Sequence, residues 1–380
     1  MKSPEINSLP RISTVGIIGA GLMGVSIAAA NARCGIPVRI YDADAEMLKT
    51  VPDRILRELD NIPNEIKRHN FASLVTVCGM AEMKSCDLII ESIIERLDEK
   101  QKLYAELEKW VPPVAFLVSN TSTIPIERLS GNLKYPHRFL GLHFLHPVRH
   151  RELVEVIPST RTSEDVLQRL CDYALYIEKT PLCVADCPGF VVNRLLQPYL
   201  AESLNMLLQG VSMRKIETAA QRFGMAWGPL RIMDEVGIDT VYHSGRVMLE
   251  AYPGRVPASP IIVSMVKQKL LGKKTGRGFY RWDDENTASG EESFNPDMEE
   301  IFRLWRKPAE TTAFLNLSEP ELANRLLMAM AMEGAKIIQD GVVSEPEEVD
   351  MAAVIGLGFP EKLGGPLKWL GKVAGNAAGQ

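Results

Sequence analysis

Thr14-Val-Gly-Ile-Ile18-Gly19-Ala-Gly21-Leu22-Met23-Gly24-Val-Ser-Ile-Ala-Ala-Ala-Asn-Ala32 decides the fold of the first half of this chain. The apolar run 14–18 suits a buried parallel strand, and the alanine-rich run after Gly24 suits a helix. Each glycine between them has a mechanical task. Gly19 permits the tight turn, Gly21 lets a pyrophosphate approach the backbone, and Gly24 allows close helix–strand packing. The helix N-terminus, including Leu22 and Met23, then offers unpaired N–H groups and a partial positive charge to the phosphates. A second strand, Val38-Arg-Ile-Tyr41, ends in Asp42, about twenty residues on, where a carboxylate accepts hydrogen bonds from a ribose. That acid repels a 2′-phosphate, and Ala43 and Asp44 bring no cation. The expected cofactor is NAD rather than NADP.

Further short apolar runs follow at Leu74-Val-Thr-Val, Leu88-Ile-Ile-Glu91, Ala115-Phe-Leu-Val-Ser119, Phe139-Leu-Gly-Leu and Leu153-Val-Glu-Val-Ile. Helical stretches such as 96–110 alternate with the earlier ones, a pattern that predicts a doubly wound α/β sheet. Ligands of such sheets sit at the carboxyl ends of the strands, which makes Ser119-Asn-Thr-Ser122 and His143 candidate site residues. In residues 140–157, His143 closes one run and Glu155 lies inside the next. If these runs pair side by side, Glu155 meets the His143 ring. A carboxylate on one ring nitrogen fixes the tautomer and leaves the other nitrogen free to take a proton. A carboxylate inside Leu-Val-x-Val-Ile is costly unless it is paired.

From Asp186-Cys-Pro-Gly-Phe-Val-Val-Asn193-Arg the pattern turns helical, with apolar residues at helix spacing through 191–208 and again between 213 and 249. The segment closes on Gly272-Lys-Lys-Thr-Gly-Arg-Gly-Phe-Tyr280, and the polar, acidic stretch after it reads as an exposed linker. Landmarks then recur in order. Asn193-Arg-Leu-Leu returns as Asn324-Arg-Leu-Leu, Gly210-Val211 as Gly341-Val342, and Gly228-Pro-Leu as Gly365-Pro-Leu. An internal duplication of a helical domain accounts for this. Paired copies within one chain bury the face that a single copy needs a second subunit to cover, which predicts a monomer. The expected divisions are a flexible lead-in 1–11, a dinucleotide domain 12–186, a first helical copy 187–282, a linker 283–316 and a second copy 317–380.

The chain has 380 residues, enough for two or three cores, with 46% hydrophobic and 24% charged residues and a formal net charge of −5. An acidic balance without Lys/Arg clusters argues against nucleic acid or anionic membrane as the main partner. No run of eighteen apolar residues exists, so no membrane-spanning helix is expected. Six cysteines, at 34, 78, 86, 171, 183 and 187, form neither a zinc pattern nor a disulfide framework. They read as ordinary thiols in a reducing, cytoplasmic compartment, with no metal site.

Taken together, the glycine motif, Ser-Asn-Thr-Ser122, Leu-His143-Phe, Leu-Val-Glu155-Val-Ile, Pro-Gly-Phe-Val-Val-Asn193-Arg and the Gly272–Tyr280 loop resemble the L-3-hydroxyacyl-CoA dehydrogenases over nearly the whole chain. The C-terminal repeat, with Gly356-Leu-Gly-Phe-Pro and Gly364-Gly-Pro-Leu, resembles the dehydrogenase portion of the multifunctional fatty-acid oxidation alpha subunit, without its hydratase domain. The resemblance implies a Rossmann-type NAD-binding domain followed by a duplicated all-α domain. It also implies NAD-dependent, reversible oxidation of (S)-3-hydroxyacyl-CoA to 3-oxoacyl-CoA, in fatty-acid β-oxidation or related acyl-CoA metabolism.

By resemblance His143 is the general base and Glu155 its orienting acid. Ser122 and Asn193 hold the reacting oxygen and the thioester region, and Glu95 and Lys100 lie around the nicotinamide and its ribose. Ser122 also fits a helix N-cap before Ile-Pro-Ile-Glu, and Asn193 a cap opening its own helix. Lys67-Arg68 and Lys273, Lys274 and Arg277 are cations available to CoA phosphates, although solvation at the surface is the ordinary fate of any one of them. The resemblance leaves open whether separate hydratase and thiolase enzymes associate with the chain. Competing readings are a dehydrogenase of small polar 3-hydroxy acids and a catalytically silent dinucleotide-binding protein.

One position departs from the family pattern, because His146 stands where the family usually has Asn holding the nicotinamide end. A neutral histidine still donates one hydrogen bond, whereas a protonated one sets a positive charge near NAD⁺. NAD⁺ affinity is therefore expected to weaken as pH falls below about 6.5, the ordinary histidine value, and His146→Asn to flatten that dependence. Titrations of NAD⁺ binding between mildly acidic and neutral pH check this, and a flat wild-type profile removes the idea.

Overall fold

The structure is a computed structural model, and it describes residues 12–282, 293–306 and 316–378. The lead-in expected at 1–11 and much of the expected linker lie outside those residues. The described part of that linker contains a helix, Met298–Trp305, with Met298, Ile301 and Phe302 buried. The chain divides into two compact units, Met1–Phe190 and Val191–Gln380.

The first unit is built on one eight-stranded sheet. Its strands are β1 (Val15–Ile18), β2 (Val38–Tyr41), β3 (Val75–Val77), β4 (Leu88–Glu91), β5 (Phe116–Ser119), β6 (Phe139–Phe144), β7 (Leu153–Pro158) and β8 (Thr180–Cys183), in the spatial order β3-β2-β1-β4-β5-β6-β7-β8. The first six are parallel, β7 runs antiparallel to β6, and β8 is parallel to β7. Strands β1, β4 and β5 are buried along their whole length, as strands covered on both faces must be. Among the helices of this unit are α1 (Leu22–Arg33), α2 (Ala45–Glu58), α3 (Glu65–Ala72), α4 (Leu97–Trp110), α5 (Ile126–Ser130) and α6 (Glu164–Tyr176). The order 3-2-1-4-5-6 is that of dinucleotide-binding sheets, whose crevice opens between the strands on either side of the reversal, here β1 and β4. Strand β8 escaped the sequence reading. It is four residues long and contains Pro181, which a strand tolerates at a sheet edge, and β8 is that edge.

The second unit is helical. The periodic stretch 191–208 is α7 (Val192–Leu208), whereas 213–249 is three helices, α8 (Met213–Phe223), α9 (Pro229–Val236) and α10 (Ile238–Ala251). Gly224 and Gly237, both at positive φ, end the first two. After α11 (Pro260–Lys267) and α12 (Met298–Trp305) come α13 (Glu319–Gln339), α14 (Pro346–Met351) and α15 (Pro366–Ala378).

The repeat has a physical signature in this unit. Helices α7 and α13 pack on one another, and their arginines reach across reciprocally. Arg194 Nη2 donates to Glu333 (2.6 Å) and Asp340 (2.7 Å), while Arg325 donates to Glu202 and Gln209 at the matching positions of the other helix. Buried acids repeat too. Glu217 accepts the Leu230 N–H (2.8 Å) and Asp350 the Leu367 N–H (2.7 Å), each at the start of a Gly-Pro-Leu helix. A Cβ on Gly228 or Gly365 would overlap that carboxylate, which explains both recurring glycines.

Arg194 is fully buried and Arg325 about a quarter exposed. Arg194→Ala, which removes the buried partner of Glu333 and leaves it the longer contacts to Arg255 (3.2 Å) and Lys336 (3.9 Å), is expected to cost about 3 kcal/mol in denaturant unfolding. Arg325→Ala is expected to cost about 1 kcal/mol. Equal losses would refute this asymmetry.

Candidate active site

The turn between β1 and α1 is shaped for a dinucleotide. Gly19 sits at φ 105° and Gly21 has open space where a side chain would stand. A Cβ on Gly24 would overlap the Gly19 carbonyl, so this glycine lets α1 start directly against the turn. Leu22 is exposed and Met23 half-buried at the first helical positions. Asp42, at the end of β2, accepts the Ala20 N–H (2.7 Å) on one oxygen and the Asp44 N–H (2.9 Å) on the other. It thereby ties the glycine turn to β2 while each oxygen keeps a lone pair. These residues fit a pyrophosphate at the helix N-terminus with a ribose beside Asp42.

Beside this crevice the ends of β4 and β5 are cross-linked by two acids. Glu91, fully buried, accepts Lys100 Nζ (2.5 Å), Tyr104 Oη (2.8 Å), Ser119 Oγ (2.6 Å) and the Ile93 N–H (2.8 Å). Burial, with Glu91 beside it, pushes the Tyr104 phenol well above its ordinary value, so it stays a donor. Glu95 takes Thr121 Oγ1 (2.6 Å) and the N–H groups of Ser122 (2.9 Å) and Thr123 (3.0 Å), with Lys100 at 3.3 Å. Burial opposes ionisation of Glu95, but Lys100 and these donors outweigh it and hold the carboxyl below the usual glutamate value. Lys100 is thus spent on two carboxylates, and Glu95 holds the turn that carries Ser122. Glu91 was missed in the sequence, where it reads only as the end of an apolar strand.

His143 and Glu155 are direct register partners across β6 and β7. Both are buried, and His143 Nδ1 lies 2.7 Å from Glu155 Oε2, with the Phe190 ring 5.8 Å from the imidazole. An ionised carboxylate accepts only, so the pair puts a proton on Nδ1 and leaves Nε2 as the basic end. Asn120 Oδ1 accepts the Phe144 N–H (2.8 Å), setting the end of β5 beside the end of β6. Ser122 and His143 therefore emerge from neighbouring strand ends. His146 follows β6, half-buried.

Asn193 is the second residue of α7 in the second unit. Three of the basic residues considered for CoA are matched with acids: Lys273 with Glu235 (3.0 Å), Lys274 with Asp239, and Arg277 with Asp297 (3.8 Å). Lys67 and Arg68 lie on α3, with Lys67 over the Phe71 ring and Arg68 3.9 Å from Glu65. No cluster of three or more His, Cys, Asp or Glu able to hold a metal occurs among the described residues, and none of their helices is long and apolar enough to cross a membrane.

Residues 14–187 match the family description "3-hydroxyacyl-CoA dehydrogenase, NAD binding domain", and residues 189–282 match "3-hydroxyacyl-CoA dehydrogenase, C-terminal domain". Among solved structures, 3-hydroxybutyryl-CoA dehydrogenase from Escherichia coli is 25% identical, with a TM-score of 0.80 over 96% of this chain and 92% of that one. FadB2 of M. tuberculosis is 34% identical, with a TM-score of 0.69 over 72% of this chain and 99% of that one. The dehydrogenase part of multifunctional enzyme 1 from C. elegans is 26% identical, with a TM-score of 0.67 over 93% of this chain and 80% of that one. With both family domains matched in order along the sequence, and a dinucleotide crevice and a buried histidine–carboxylate pair in the first unit, the chain belongs to the 3-hydroxyacyl-CoA dehydrogenase family, and its first unit is that family's NAD-binding domain.

Proposed function

We propose that this enzyme reversibly oxidises (S)-3-hydroxyacyl-CoA thioesters to 3-oxoacyl-CoA, with His143 as general base, as a step of fatty-acid β-oxidation or related acyl-CoA metabolism. The observation that carries the proposal is the 2.7 Å contact between His143 Nδ1 and Glu155 in a buried strand pair. NAD supplies acceptance of a hydride from C3, and the residues of this chain supply the matching proton transfer. Nε2 of His143 takes the proton of the 3-hydroxyl. The imidazolium so formed is stabilised by the Glu155 carboxylate, whose charge acts at short range in a dry setting. In the reverse direction the same imidazolium is the acid, and the Ser122 hydroxyl polarises the carbonyl oxygen. Glu95 is given a positioning role, holding the Ser122 turn through its backbone N–H. The resemblance gives Asn193 a part in binding the thioester, and it also supports acyl-CoA rather than a free hydroxy acid as the substrate. The reciprocal arginine pairs of α7 and α13 favour a single chain as the working unit.

The test is NADH oxidation, followed by absorbance, with acetoacetyl-CoA and with free acetoacetate as alternative substrates. Turnover of the thioester is expected, with kcat lowered about 10²- to 10⁴-fold in His143→Ala while NADH binding is retained. Turnover of the free acid alone would move the assignment to small 3-hydroxy acids. An active His143→Ala variant would remove the base.

A further inference from the structure

Two cysteines that the sequence scatters come together at the edge of the first unit. Cys171 lies on α6 and Cys183 ends β8, and their sulfurs are 3.3 Å apart. Helix α6 packs on β7 and β8, so the contact joins the outermost strand of the sheet to the helix covering it. Cys187 is nearer to Cys183 in the chain, but it is Cys171, twelve residues before Cys183, that meets it. A disulfide has a sulfur–sulfur bond of about 2.05 Å, so the two atoms need to close by only about 1.2 Å.

We propose that Cys171 and Cys183 are a dithiol modification site that small-molecule disulfides oxidise to an intramolecular disulfide. Cys183 is exposed and Cys171 half-buried, which orders the steps. The Cys183 thiol loses its proton to water, and its thiolate attacks one sulfur of the small disulfide, expelling the first small thiolate. Cys171 then loses its proton and attacks Cys183 Sγ, expelling the second. The two expelled thiolates take up the two protons. The pair loses two electrons, and the small disulfide gains them and leaves as two thiols.

The other thiols are less suited to this exchange. The Cys183 contact and then burial push Cys171 upward, so it stays protonated until Cys183 has been engaged. Burial raises Cys34 and Cys78 and takes Cys86 to about 12, which removes the thiolate that exchange requires. Structurally the bond would pin β8 in its register, where Cys183 faces Val156 and Leu182 faces Glu155.

The experiment treats the full reduced chain with glutathione disulfide, then counts free thiols and maps the peptides by mass. The proposal expects the six thiols of the chain to fall to four, with one linkage between residues 171 and 183. In Cys171→Ser the resolving thiol is gone, and one glutathione is expected to remain on Cys183. Cys183→Ser is expected to keep its five thiols at the same dose. Retention of six thiols in the wild type, a linkage involving Cys187 instead, or no glutathione on Cys183 in Cys171→Ser would each overturn the proposal.

Discussion

A carboxylate buried in an apolar strand has to find a partner, and that constraint organises this protein. Glu155 lies fully buried among Leu153, Val154, Val156 and Ile157 on β7. Desolvation of an unpaired carboxylate there would cost several kcal/mol. The antiparallel register of β6 and β7 brings it His143. The partner that makes the acid tolerable is the side chain we propose as the general base, so on that proposal stability and reactivity share one contact. The strand reversal has a purpose in this light. A parallel β7 would need a crossover connection of a dozen or more residues, whereas an antiparallel return opposes His143 and Glu155, only twelve apart in the chain.

The same rule recurs at the other organising points. Glu91 collects Lys100, Tyr104 and Ser119 between the ends of β4 and β5, and Glu95 fixes the Ser122 turn above it. In the second unit Glu333 is balanced by Arg194 and Arg255. There Glu217 and Asp350 cap the starts of two helices, and Asp234 holds the Phe279 and Tyr280 N–H groups and the Trp282 indole. Desolvation raises Asp234 to about 6 in spite of those donors. It therefore penalises the folded state when ionised, a cost absent below the unfolded value and present above about 6.

Much of this was legible in the sequence because it is local. The glycine turn, Asp42 and the first seven strands are contiguous patterns, and the pairing of His143 with Glu155 follows once two apolar runs are laid side by side. What stayed hidden depends on distance or on punctuation. Lys100 and Ser119 reach Glu91 from 9 and 28 residues away, and no periodicity signals their meeting. The three helices of 213–251 read as one stretch because glycines at 224 and 237 leave apolar spacing intact. The repeat showed its glycines but not its acids, since Glu217 and Asp350 do one job with side chains of different length. Cys171 and Cys183 met only when α6 was laid on β8.

In the mechanism we propose, Glu155 fixes the tautomer of His143 and leaves Nε2 as the base. Nitrogen chemical shifts of the His143 imidazole in ¹⁵N-labelled protein at neutral pH test it directly. The account predicts a protonated Nδ1 and an unprotonated Nε2, with that preference lost in Glu155→Ala. A neutral ring carrying its proton on Nε2 in the wild type would contradict it.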